Sequence, residues 1–206
     1  MSDKCLVIPT KTLLKKNFLG YVPSNYFDYL SIINKKEHQR FLLRKTTSQE
    51  QKLPVEEDPS YKQPVVYSIV TNNGKILVYQ RADANTIGEQ RLALKYSLGI
   101  GGHIDPTDDK LNLITSSLER ELNEELSYKG KKTIKHVGYI NLDHNMVNKV
   151  HFGLVFITDL EDSKLKLEKE LLHGSFKTIS EIKNKEIYEK LEEWSKVLID
   201  NIHTIL

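Results

Sequence analysis

Arg120, Glu121, Glu124 and Glu125 stand at helical spacing and are the most chemically pointed residues of the chain. They close the segment Gly101 to Ser127, GGHIDPTDDKLNLITSSLERELNEELS, whose other end is a double glycine leaving a predicted strand. Residues three and four apart share a helix face, so Glu121, Glu124 and Glu125 converge. Three carboxylates that close repel one another unless positive charge sits among them. A hard divalent cation such as Mg²⁺ suits that role, because it prefers oxygen ligands and keeps several waters.

A solvated acidic face on a charged helix is the common alternative. Helical geometry argues against it. Leu111, Ile114, Leu118, Leu122 and Leu126 form an apolar stripe in steps of three and four. At about 100° per residue, Glu125 lies about 40° from the middle of that stripe and Glu121 about 80°, while Glu124 and Arg120 point away. A carboxylate at the margin of a buried face needs a partner, which favours a cation site.

Arg120-Glu121-Leu122-Asn123-Glu124-Glu125 resembles the core of the signature of the Nudix, or MutT-like, hydrolases, which split nucleoside diphosphates linked to another group. Gly102 supplies the signature's opening glycine. Three departures stand out. The segment Asp105 to Asn112 is about four residues longer than the family's, which puts Asn112 where the family has its first glutamate. Ser127 replaces a glycine, and Tyr128 an aliphatic residue. Asp108 and Asp109 are candidates to replace the outer acid. The pattern KQPVVY, YQRA, EQRL and SLGIGGHI further resembles a little-characterised bacterial branch of predicted phosphoesterases over roughly residues 56 to 180.

That resemblance implies an α/β fold, a Nudix-type α/β/α sandwich with a mixed β-sheet and an N-terminal extension. It implies Mg²⁺ or Mn²⁺ as cofactor, held by Glu121, Glu124, Glu125 and the carbonyl of Gly101. The general base is either Glu124 or Glu170, an acid placed shortly before Phe176 as in the family's loop. Arg120 orients a neighbouring glutamate. Arg81, at a strand end, resembles a phosphate contact and reads equally as a surface arginine; Arg91 and His103 are further substrate-binding candidates. Glu168 is a second acid in the later loop.

These residues need elements to hold them. Val65 to Val70 and Lys75 to Tyr79 are β-rich runs joined by Asn73-Gly74, a hairpin signal. Tyr96 to Ile100 reads as a strand, Thr133 to Leu142 and Lys149 to Ile157 as an antiparallel pair that carries His136 and His151. From Ser180, a good N-cap, to Ile205, apolar residues at helical spacing predict one covering helix with Trp194 in the core. Residues 65–206 then form the catalytic domain. Residues 1–64 form an extension with a strand at Leu6 to Ile8, a short helix from Tyr26 to Ile33 capped by Ser24 or Asn25, and a strand at Phe41 to Arg44.

Composition narrows the partners. With 206 residues and a formal net charge of +2, the chain suits one ordinary domain with no basic bias toward nucleic acid. Its one cysteine, Cys5, excludes an internal disulfide and a thiolate zinc cluster. No apolar run reaches membrane-spanning length, and lysines run through Met1 to Gly20, so a cytoplasmic protein is expected. The expected partner is a small nucleotide or diphosphate substrate, with no membrane and a homodimer left open. A catalytically impaired domain that binds a nucleotide or nucleotide-sugar as a sensor is the alternative that Asn112 and Ser127 keep alive; an interaction module with structural acids is the other.

Overall fold

The computed structural model describes residues 3–82, 93–167 and 171–206. Their strands are β1 (Lys4–Pro9), β2 (Gly20–Pro23), β3 (Arg40–Leu43), β4 (Tyr61–Asn72), β5 (Lys75–Arg81), β6 (Tyr96–Ser97), β7 (Gly99–Ile100), β8 (Leu126–Ser127), β9 (Lys132–Asn141), β10 (His151–Leu160), β11 (Lys166–Leu167) and β12 (Leu171–Lys177). The helices are α1 (Thr10–Leu13), α2 (Tyr29–Asn34), α3 (Leu113–Glu125), α4 (Met146–Val150), α5 (Ile179–Ile182), α6 (Lys185–Tyr188), α7 (Glu193–Asp200) and α8 (Ile202–Ile205). The hydrogen-bonded order β12-β5-β4-β10-β9-β2, joined by β1, β3, β6 and β7, makes a ten-stranded sheet, with β8 and β11 paired separately. The expected α/β class with a large mixed sheet is the one observed. Among the described residues no helix is long and apolar enough to cross a membrane.

Packing divides the chain into two compact units. The first comprises Met1–Val66, Gly102–Leu118 and Gly138–Val155. Its interior is aromatic: Tyr29, Tyr139 and Phe152 are fully buried, with the Tyr29 ring 4.9 Å from Tyr139 and 5.2 Å from Phe152. Strand β1 pairs β3 with Lys4 opposite Leu43, and reaches β4 with Ile8 opposite Lys62. Both N-terminal strands therefore fall where apolar runs predict them. The helix starts at Tyr29, later than expected, because Asp28 is the cap and accepts the Ser31 N–H at 3.0 Å. Asn145 similarly accepts the Asn148 N–H and winds a helical turn where an extended Lys149 was expected, so β10 begins at His151.

The second unit comprises Tyr67–Gly101, Glu119–Val137 and Phe156–Leu206. Asn73 and Gly74 take φ of 48° and 72°, the two positive values of a type I′ turn, and set Thr71 opposite Ile76. On β5 are then built β12, with Leu171 opposite Arg81, and β6, with Ser97 opposite Tyr79. Strand β7 pairs β4, Ile100 opposite Ser68. The C-terminal segment is four short helices instead of one. Thr178 caps the first, not Ser180, in a reciprocal capping box with Glu181. Asn184 caps a new helix through the Glu186 N–H, and Glu192 breaks the path again with an extended backbone (ψ 161°) that carries its side chain inward.

Candidate active site

Helix α3 positions the acidic turn, and its buried face differs from the expected one. Leu111 lies outside the helix and is 86 % exposed. The buried set is Leu113, Ile114, Ser117, Leu118, Glu121 and Leu122. Without Leu111 the inward face rotates toward Glu121, which becomes its centre, while Glu125 is half-buried and Glu124 exposed. The arginine gathers the acids: Arg120 Nη1 donates to Glu121 Oε1 at 2.7 Å and to Glu124 Oε2 at 3.3 Å. A carboxylate in the helix's buried face thus sits beside two others and one guanidinium, all in the second unit.

Gly101, at the mouth of β7, has φ 151°, a backbone conformation that L side chains rarely adopt. Behind it the backbone is held by side chains. Tyr79 Oη donates to the Gly99 carbonyl at 2.6 Å, the Gly99 N–H reaches Ser97 Oγ at 3.2 Å, and the Leu98 N–H reaches Ser195 Oγ at 2.9 Å. Burial raises the Tyr79 phenol well above its ordinary range; the Arg81 charge opposes this and the Glu125 and Glu192 charges add to it.

Arg81 closes β5 and turns toward Glu192, Nε to Oε2 at 2.7 Å. Glu192 Oε1 also accepts from the Tyr67 and Ser97 hydroxyls, each at 2.6 Å. Burial pushes the Glu192 carboxyl up, but the Arg81 charge and the bonds from Arg81, Ser97 and Tyr67 outweigh it and hold it below its usual value. Burial likewise works against the Arg81 charge, and Glu192 more than restores it. Glu192, Tyr67, Ser97 and Ser195 were not candidates from sequence. Leu191-Glu192-Glu193-Trp194 reads as part of a charged amphipathic helix, and nothing local marks one glutamate as buried.

In the first unit His103 Nε2 lies 3.0 Å from His151 Nε2. His151 Nδ1 is 2.7 Å from the Val147 carbonyl, so Nδ1 carries its proton and Nε2 accepts one from His103. Burial lowers His151 to about 4, against the pull of the Val147 carbonyl. His136, on β9, packs its ring 5.1 Å from that of Phe156. Asp108 and Asp109 have local partners: Asp108 Oδ2 accepts the Asp105 N–H and Asp109 Oδ1 the Leu111 N–H. Asn112 is exposed, with its amide 3.3 Å from Asp109 Oδ2. Arg91, Glu168 and Glu170 lie outside the described residues.

The donor set tests the fit of a metal. Three carboxylates and a carbonyl are all hard oxygen donors, the chemistry of Mg²⁺ and Mn²⁺ rather than of a softer ion. Among the described residues no three His, Cys, Asp or Glu side chains are already grouped as a cage. Glu121 and Glu124 face Arg120 instead, so these residues fit the ion by type and sequence position, with the guanidinium in the place of positive charge.

No protein-family model matches the chain. Protein YmaB of Bacillus subtilis (strain 168) is 36 % identical over 153 residues, 70 % of this chain and 73 % of that protein. Among solved structures, Tm1382, assigned to the Nudix hydrolases, superposes with a TM-score of 0.75 and 25 % identity over 98 % of this chain and 100 % of its own. The Nudix domain of NrtR from Shewanella oneidensis, in complex with ADP ribose, gives a TM-score of 0.53 at 13 % identity, covering 69 % of this chain and 86 % of that one; that likeness is of fold.

Proposed function

The chain belongs to the Nudix hydrolase family, whose members hydrolyse pyrophosphate bonds, and we propose that it cleaves the diphosphate of a nucleoside diphosphate linked to another group with the help of Mg²⁺ or Mn²⁺. One observation carries the metal reading. The Glu121 carboxylate lies in the buried face of α3, 6 % exposed, with Arg120, Glu124 and Glu125 around it. A carboxylate in a buried helix face, with two more acids within one turn of it, offers the hard oxygen donors that a divalent cation prefers. Glu121, Glu124, Glu125 and the Gly101 carbonyl would hold it. When bound, such an ion neutralises diphosphate charge and makes water a competent nucleophile near neutral pH.

The protein's own groups do the rest. Arg120 holds Glu121 and Glu124 in place through charge-assisted bonds. Glu124, the exposed member, or Glu170 takes the proton of the attacking water. Arg91 contacts the phosphates, where fixed positive groups favour the developing charge. Residues 65–206 constitute the catalytic domain and residues 1–64 its extension. The substrate belongs to a class that includes ADP-ribose, NDP-sugars, NAD, dinucleoside polyphosphates and nucleoside triphosphates.

A second reading, a nucleotide sensor without turnover, draws on Asp108 and Asp109. Both are bonded to backbone of the Asp105 to Asn112 segment, so neither is displayed as a ready replacement for the outer acid. A product-identified screen of those five substrate classes with Mn²⁺ separates the two. Glu124→Gln should retain the fold and lose at least about 10²-fold in kcat, the scale of a lost acid-base group. Full activity in that variant overturns the assignment, and binding without turnover in the parent protein favours the sensor.

A further inference from the structure

We propose that Glu192 and Arg81 are positioning residues, a buried splint that fixes the Gly99–Gly101 backbone so that the Gly101 carbonyl is presented to the divalent cation. This rests on the metal reading above and gives Arg81 a different task from the phosphate contact expected of it.

The splint is continuous from charge to backbone. Glu192 is 3 % exposed, and its two oxygens collect Arg81 Nε at 2.7 Å and the Tyr67 and Ser97 hydroxyls at 2.6 Å each. Ser97 Oγ in turn accepts the Gly99 N–H, and Ser195 Oγ, 2.9 Å from Tyr67 Oη, accepts the Leu98 N–H. Tyr67 also covers Gly99 so closely that a Cβ there would stand 1.9 Å from its ring. Leu98 and Gly99 are thus held by side-chain hydroxyls at their N–H groups, and Ser97 and Gly99 by strand pairing. Two residues beyond Gly99 stands Gly101, with φ 151°.

A buried ion pair is a weak way to stabilise a core, since apolar residues of similar volume do as well or better. A carboxylate can, however, accept from several donors at once and orient them. That difference separates positioning from stability in an experiment. The double variant Arg81→Met/Glu192→Leu should keep a melting temperature near that of the parent, yet bind Mn²⁺ about tenfold or more weakly by electron paramagnetic resonance, the usual scale for lost outer-shell support. In the metal-free protein, amide exchange at residues 98–101 should accelerate while that of α3 does not. Ser97→Ala, a milder change, should shift both readouts in the same direction.

Folded variants with parental Mn²⁺ affinity and unchanged exchange would overturn the positioning role. Parent protein that binds no Mn²⁺ would overturn the metal reading itself, a different failure. Should the double variant not fold, Ser97→Ala decides.

Discussion

Arg120 is the residue on which the acidic turn balances. Its guanidinium lies 2.7 Å from a glutamate whose side chain is 7 % exposed and 3.3 Å from one that is 48 % exposed, so the two contacts differ in weight. The exposed pair is screened and contributes little; the buried one is where removal costs most. Arg120→Ala should therefore destabilise the protein in EDTA by about 1–3 kcal/mol, the range for stripping the donor from a buried charged acceptor. With the guanidinium gone, a bound divalent ion would supply positive charge in its place. Mn²⁺ should then raise the melting temperature of the variant by more than that of the parent, as ligand linkage requires; an equal or smaller rise would refute this balance. At this scale the sequence is readable where side chains act on a helix, because Arg120 reaches glutamates one and four positions along, Glu121 and Glu124. It is unreadable for Glu192, whose partners Tyr67, Ser97 and Arg81 come from 95 to 125 positions away in the chain.

Elements follow the same division between local and long-range causes. The β4–β5 hairpin was predictable, since turn chemistry and β-rich runs are local properties. The single strand expected over Tyr96 to Ile100 is instead two, β6 on β5 and β7 on β4, broken at Leu98, whose N–H goes to Ser195 Oγ. The C-terminal helices were not predictable, because their apolar periodicity continues across Asn184 and Glu192 although the helix does not. Caps decided the outcome. Thr178→Ala should lower stability by about 1 kcal/mol, measured as a shift in urea midpoint, because it removes one half of the capping box. Gly99→Ala should cost more, about 2–3 kcal/mol as in overpacked cores, because the new methyl group meets the Tyr67 ring 1.9 Å away. A shift below that of Thr178→Ala would show that Tyr67 yields, and that the strand before Gly101 is less firmly held than its contacts indicate.

Taken as a whole, the molecule carries 30 basic and 28 acidic side chains, so overall charge repulsion is small near neutrality. Its response to pH must come from particular buried groups. His151 titrates near 4 when folded against an ordinary 6.5, so the unfolded chain binds the extra proton between those values. Stability from this group is complete above about pH 6.5 and is lost as pH falls toward 4, by about 3 kcal/mol if the whole shift is realised. His103, Lys62, Glu56 and Arg44 are the charged or titratable neighbours on that environment. Glu192, held below its ordinary value, adds a loss only below about pH 4.5, which separates the two limbs. On the alkaline side Lys62, lowered to about 8 by burial with its amine on the Asn148 and His151 carbonyls, is destabilising while protonated and relaxes as pH rises from about 8 to 10.5. Tyr29 and Tyr139, raised by burial to about 12, reverse that gain above pH 10, where the unfolded phenols ionise first. Urea midpoints followed by circular dichroism should accordingly climb between pH 4 and 6.5, climb again above 8 and fall beyond 10. His151→Gln should flatten the first climb and leave the alkaline limbs in place; an unchanged acid limb would mean that His151 is not the group that sets it.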